Sequence, residues 1–100
     1  MVLDRVKGCL LGGAVGDALG APVEFLFLND IRAQFGFNGI QRYVHAYGRV
    51  GAITDDTQMT LFTLEGIMRS RARQAAGMED ELVEQVYKAY IRWLATQGED

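Results

Sequence analysis

Oxygen-bearing side chains stand in an unbroken run at Thr54-Asp55-Asp56-Thr57. A hydroxyl beside two carboxylates offers the ligands that hard divalent cations such as Mg²⁺ or Mn²⁺ prefer. Neighbouring helix positions diverge by about 100°, so Asp55 and Asp56 would serve two ions, or one would ligate while the other orients water. The run also suits a helix start, with Thr54 as the N-cap and the aspartates at the positive helix end. The residues alone leave both interpretations open.

Two further carboxylates lie in the segment 16–25, which reads Gly-Asp-Ala-Leu-Gly-Ala-Pro-Val-Glu-Phe. Asp17 stands inside an otherwise apolar stretch, so it needs a polar partner or access to solvent. We expect it to accept a hydrogen bond from a neighbouring group rather than to bind a metal. Glu24 follows Pro22 just beyond a predicted helix end, where its carboxylate either points into a cleft or is an ordinary surface group.

The composition excludes several other kinds of site. The 100-residue chain has one cysteine, Cys9, and one histidine, His45. An intramolecular disulfide and a zinc site with nitrogen and sulfur ligands are therefore not expected. A formal charge of −3 and a pI near 5.0 argue against nucleic acids and anionic membranes as partners. A lone cysteine suits a reducing compartment, and we expect a cytoplasmic protein.

Three longer helices and one long loop are expected to position these groups. The spacing of apolar residues predicts helices over residues 3–19, 54–71 and 79–97. Residues 21–53 are mostly irregular, apart from a short helix that begins at a cap on Asn29 and ends near Gly36. The predicted fold class is all-α.

The first predicted helix is apolar on every side, which is typical of a helix surrounded by others. Glycines recur along it at every fourth position: Gly8, Gly12, Gly16 and Gly20. This spacing predicts a smooth stripe against which another backbone packs closely. The acidic residues Asp4 and Asp17 and the short apolar run argue against a signal peptide or a membrane-spanning segment.

Two stretches of the chain carry a family resemblance. They are residues 5–25, RVKGCLLGGAVGDALGAPVEF, and residues 51–60, GAITDDTQMT, with a weaker similarity through residues 90–94. Together they resemble the opening of an ADP-ribosylglycohydrolase of the dinitrogenase-reductase-activating type. The resemblance implies an all-α fold like an orthogonal bundle, of which this chain holds the first helices and a long loop. Residues 1–100 would then be the amino-terminal part of a single domain.

The resemblance also implies a reaction, which is hydrolysis of the glycosidic bond joining ADP-ribose to a modified protein side chain or a small molecule. Its cofactors would be two Mg²⁺ ions, or Mn²⁺. The resemblance assigns no residue to the binding of any other cofactor. By motif, Thr54, Asp55 and Asp56 take the place of the first metal-ligand group. Glu24 matches an acidic residue beside the metals and is the candidate catalytic group, whereas no role for Asp17 carries over.

One part of the family pattern has no counterpart in these 100 residues. It is the second ligand group, an Asp-x-Asp-[Ser/Thr] motif. We therefore expect the chain to be inactive alone and to self-associate through exposed apolar helix faces. The alternative is a non-catalytic helical module for binding or assembly that retains the amino-terminal half of the family's domain. The sequence does not choose among arginine, serine and small-molecule linkages.

Overall fold

The computed structural model describes residues 1–79 and 81–98, which are mainly helical. The elements in chain order are α1 (Val2–Gly20), a 3₁₀ segment (Ala21–Val23), α2 (Leu28–Phe35), β1 (His45–Ala46), β2 (Arg49–Val50), α3 (Asp55–Ala75) and α4 (Leu82–Thr96). Within the described residues, the only sheet is the two-stranded antiparallel hairpin β1–β2. The predicted all-α class is confirmed. The chain divides into two compact units, Met1–Thr57 and Gln58–Asp100.

Most helix boundaries follow local signals in the sequence. α1 ends at Gly20, and Pro22 lies in the first turn of the 3₁₀ segment that follows, where its missing N–H is tolerated. The short helix α2 ends before Gly36, which has a φ of 92°. Its predicted cap is wrong, because Phe27 takes the capping position with extended backbone and Asn29 lies inside the first turn.

The two later helices differ from their predicted spans. α3 continues past residue 71 to Ala75 because its stop signal is Gly77, with a φ of 77°. The N–H of Gly77 bonds to the carbonyl of Gln74, and that of Met78 bonds to the carbonyl of Arg73, which is a Schellman ending. α4 begins at Leu82 rather than at residue 79, because Glu81 has extended backbone. Asp80, inside the predicted span, lies outside the described residues.

The first unit has a small core at the carboxyl-terminal end of α1. Its buried apolar residues are Ala18, Ala21 and Ala52. Beside this core lies an apolar groove between α1 and the hairpin region, lined by Leu11, Ala14, Val15, Ala18, Tyr43, Val50, Gly51 and Ile53. The hairpin strand β1 contacts the 3₁₀ segment. These contacts hold the loop against the end of α1.

The rest of α1 does not have the neighbours that its composition predicts. Leu3 is 62% exposed and Leu11 is 67% exposed. Nothing lies within 4 Å of a Cβ built at Gly8, Gly12, Gly16 or Gly20. The expected burial and the close backbone contact along the glycine stripe are therefore wrong for this chain, since the first unit contains no second long helix to supply them.

Close packing of backbones occurs in the second unit instead, between α3 and α4. A Cβ built at Gly66 would lie 2.9 Å from the carbonyl oxygen of Gln85 and 2.9 Å from Cα of Val86. Ser70 and Ala89 are also buried at this contact region, together with Gln85. Small residues on both helices let the two backbones approach.

Hydrogen bonds flank this contact along the two helices. The hydroxyls of Thr63 and Tyr90 are 2.6 Å apart, and Trp93 Nε1 donates to Gln58 Oε1 at 3.0 Å. The predicted apolar stripe of α4 is thus only half-buried at Val86, Tyr90 and Trp93, while Leu82 and Leu94 are exposed.

No single helix in the described residues has the length and apolar character to cross a membrane. Residues 2–23 and α2 pass that test only as a pair, and they are bent by 96°.

Candidate functional site

Thr54 directly precedes α3 and caps its first turn. The backbone N–H of Asp56 donates to Thr54 Oγ1 at 3.2 Å, which satisfies one of the N–H groups that a helix start leaves open. The capping interpretation of Thr54 is confirmed. Asp55 and Asp56 occupy the first turn, and both are exposed.

Asp17, near the carboxyl-terminal end of α1, holds this helix start in place. Its Oδ2 accepts the backbone N–H of Thr54 at 2.7 Å and the hydroxyl of Thr57 at 2.6 Å. Oδ1 accepts the hydroxyl of Thr54 at 2.6 Å, and a longer bond of 3.3 Å comes from the N–H of Thr57. The expectation of a hydrogen-bonded Asp17 is confirmed, and the carboxylate joins the two motifs of the sequence.

The environment of Asp17 favours its charged form. Partial burial by itself raises the pKa of this carboxyl group, but the hydrogen bonds from Thr54 and Thr57 lower it more. The net pKa therefore lies below the ordinary value of 3.8. Donors aimed at a carboxylate stabilise the ionised form, so Asp17 is an anion over the whole physiological range.

Negative charge accumulates where α3 begins. The pKa of Asp56 is raised, first by the charge of Asp55, then by slight burial and by the charges of Asp17 and Glu24. Charges that raise the pKa of Asp56 lie within electrostatic reach of its carboxyl group in the folded chain. The candidate residues from residues 16–25 and from residues 54–57 are thus brought into one neighbourhood.

Glu24 lies just after the 3₁₀ segment, is exposed, and has a partner that the sequence did not indicate. The hydroxyl of Tyr47 donates to Glu24 Oε1 at 2.7 Å. This bond raises the pKa of Tyr47, with smaller contributions from burial and from the charges of Glu24, Asp55 and Asp17. Tyr47 is therefore a protonated donor beside the carboxylates. The sequence carried no local signal for this pair, because Tyr47 and Glu24 are 23 residues apart.

The oxygen atoms available as ligands at the start of α3 suit a hard cation. The proton of the Thr54 hydroxyl is directed to Asp17, and one oxygen lone pair accepts the N–H of Asp56. A second lone pair of this oxygen is left for a ligand. The carboxylates of Asp55 and Asp56 follow next in the sequence, and Mg²⁺ and Mn²⁺ prefer oxygen ligands. Among residues 1–79 and 81–98, no three His, Cys, Asp or Glu side chains form a complete metal-holding group. In the described residues, therefore, the start of α3 does not by itself form a complete metal-binding group.

Comparison with known proteins identifies relatives of this chain. The sequence model of the ADP-ribosylglycohydrolase family matches residues 1–100. The chain is 38% identical over 103 residues to the ADP-ribosyl-[dinitrogen reductase] glycohydrolase of Rhodospirillum rubrum, with 99% of this chain and 31% of that protein covered. An uncharacterized protein of Archaeoglobus fulgidus is 37% identical over 70 residues, which cover 67% of this chain and 22% of that protein.

The chain thus spans about a third or less of the length of these curated relatives. No solved structure matches it significantly. The family match covers the whole chain and includes both segments that Asp17 joins. The chain therefore belongs to the ADP-ribosylglycohydrolase family.

Proposed function

We propose that the protein is a metal-dependent hydrolase that cleaves the glycosidic bond between ADP-ribose and a modified side chain or small molecule. The observation that carries this proposal is the set of hydrogen bonds from Thr54 and Thr57 to Asp17. These bonds bring the start of α3 to the end of α1, from which Glu24 follows. A hydroxyl and several carboxylates then share one neighbourhood, as cation binding requires.

Thr54, Asp55 and Asp56 would hold two Mg²⁺ ions, or Mn²⁺, from one side. Bound ions of this kind orient hydroxyl groups and water and stabilise the charge that develops as the bond breaks. Glu24 is the proposed acid–base group. Because Tyr47 occupies its Oε1, its Oε2 is the atom that would exchange a proton with water or with the leaving group.

The ligand set in these residues is partial, and Mg²⁺ needs near-octahedral coordination. We therefore propose that turnover requires the second ligand group implied by the family resemblance, and that residues 1–100 alone do not release ADP-ribose. Orientation of reacting groups contributes on the order of 7–11 kcal/mol in well-positioned sites, which a weakly held ion would largely forfeit.

A titration with Mn²⁺ tests the metal site directly. We expect paramagnetic broadening of the backbone NMR signals to begin at residues 54–57. Asp55→Asn should weaken this broadening, whereas the matched change Asp30→Asn, in the first turn of α2, should leave it unchanged. If Asp30→Asn weakens the broadening as much, or if other residues broaden first, the assignment is wrong.

A second experiment tests the reaction. ADP-ribose release is measured from ADP-ribosyl-arginine and ADP-ribosyl-serine peptides with Mg²⁺, at several protein concentrations. We expect none from the monomeric chain of residues 1–100. Turnover by the monomer, lost in Asp55→Ala, would contradict the requirement for a second ligand group while supporting the role of the first.

The alternative function is a non-catalytic helical module for binding or assembly. The observation that favours it is the exposure of apolar side chains on α4, including Val83 at 79% and Tyr87 at 63%. A stable complex without Mg²⁺-dependent release of ADP-ribose would support the module over the enzyme.

A further inference from the structure

Tyr47 stands at the tip of the β1–β2 hairpin in a backbone conformation that non-glycine residues rarely adopt. Its φ is 49°, and that of the next residue, Gly48, is 89°. Positive φ at both positions is the property of a type I′ two-residue loop, whose backbone twist matches that of the paired strands. Asn, Asp or Gly adopts this conformation more easily than a tyrosine does, so the hairpin holds a strained residue.

The contacts of the hairpin direct this tyrosine to one place. His45 pairs with Val50, and Ala46 pairs with Arg49, and β1 contacts the 3₁₀ segment that ends just before Glu24. The Tyr47 side chain crosses to Glu24 and donates to its Oε1 at 2.7 Å. The ring itself is not buried, since the residue is 59% exposed. Core packing therefore does not account for a tyrosine here.

We propose that Tyr47 is the positioning residue for the carboxylate of Glu24. This inference rests on the proposed function, in which Glu24 is the acid–base group. The phenol binds one carboxylate oxygen, Oε1, so that an exposed side chain has one defined orientation. Backbone strain at a turn that aims a side chain at a reacting group is a recurrent property of functional sites.

The chemistry of the pair is suited to this role. A phenol is a single O–H donor, and the charges of Glu24, Asp55 and Asp17 all act to keep that proton on Tyr47. The hydroxyl therefore keeps its proton at neutral pH and donates it to Glu24. A hydrogen bond to a charged acceptor is among the stronger ones in proteins.

NMR spectroscopy on residues 1–100 tests the contact and the ordering. With ¹³C at the tyrosine Cζ atoms, we expect the pKa of Tyr47 to lie above 10.0 and to fall back towards 10.0 in Glu24→Gln. In Tyr47→Phe, the order parameter of the Glu24 side chain should fall. The matched control is Tyr43→Phe, which removes a hydroxyl from another tyrosine of the same loop and should change neither signal.

Kinetics on the protein with its complete ligand set test the consequence. We expect Tyr47→Phe to lower kcat about 10-fold, the range that the loss of a hydrogen bond to a charged group allows, with KM and Mn²⁺ affinity unchanged within about 2-fold. Glu24→Gln should lower kcat by about 100-fold or more. Tyr43→Phe should match the wild type.

The outcomes separate this inference from the proposed function. If Glu24→Gln is inactive while Tyr47→Phe keeps the wild-type kcat and an ordered Glu24, the inference is overturned and the proposed function stands. If Glu24→Gln retains full activity, the proposed role of Glu24 fails, and with it the functional part of the inference, whatever the NMR measurements show. Loss of kcat in both variants, together with disorder of Glu24 in Tyr47→Phe, supports both.

Discussion

Asp17 and Thr54 lie 37 residues apart in sequence and are joined by two hydrogen bonds, of 2.7 Å from the backbone N–H and 2.6 Å from the hydroxyl. One carboxylate near the end of α1 thereby fixes where α3 begins. It also accepts the hydroxyl proton of Thr54, whose oxygen in turn accepts the N–H of Asp56. This relationship gives a structural role to an aspartate for which the family resemblance implied none.

Asp17 and Thr57 should be energetically coupled. Thr57 Oγ1 donates to Asp17 Oδ2 at 2.6 Å, so Asp17→Asn and Thr57→Val each remove the same charge-assisted bond. A double-mutant cycle of urea unfolding should give a coupling of about 1 kcal/mol. The control pair is Asp4→Asn with Thr57→Val, because Asp4 lies about 20 Å from Asp17 along α1. Equal coupling in both pairs would contradict the assigned contact.

The stability of the first unit should depend on pH through Asp17. Its pKa is lowered in the folded chain, so its stabilising contribution is complete above the unfolded value of about 3.8. As the pH falls below that value and through the folded pKa, the contribution is lost. Between about pH 5 and pH 2, the free energy of unfolding should decrease more steeply for the wild type than for Asp17→Asn. Thr57→Val should be intermediate, and three identical slopes would refute the argument.

Gly66 and Gly12 should respond to alanine in opposite directions. A Cβ at Gly66 would lie 2.9 Å from backbone atoms of α4, whereas nothing lies within 4 Å of one at Gly12. Gly66→Ala should lower the free energy of unfolding, because overpacking of about 1–3 kcal/mol exceeds the gain in helix propensity of about 1 kcal/mol. Gly12→Ala should keep that gain and raise the melting temperature. A stabilised Gly66→Ala chain would show that α4 is not held against this glycine.

Self-association should proceed through the exposed face of α4. Val83, Tyr87, Ile91 and Leu94 follow one another at helical spacing and are 79%, 63%, 49% and 36% exposed. Apolar surface of this kind favours association. Sedimentation velocity should show mass increasing with concentration, and Val83→Glu with Ile91→Glu should suppress the increase. The control is Lys88→Glu on the same helix, whose side chain is 52% exposed; an equal effect of that variant would point to charge rather than to the apolar face.

Local signals in the sequence determined the secondary structure and part of the candidate site. The cap at Thr54, the first turn with Asp55 and Asp56, and the stops at Gly36 and Gly77 depend on residues within a few positions of each other. Such interactions are fixed by backbone geometry and need no distant partner. The two motifs, read together, also indicated the family that the comparison then showed.

Only the tertiary structure decided which distant groups meet. The acceptor of the Thr54 hydroxyl, the donor to Glu24 and the neighbour of Gly66 all come from residues 19 to 37 positions away, and no local periodicity encodes such pairings. The glycine stripe of α1 shows most clearly that the sequence does not determine which elements pack together. Its spacing predicts a close neighbour, but a helix that is apolar on every side gives no direction from which that neighbour must come, and in this chain the close contact forms at Gly66 instead.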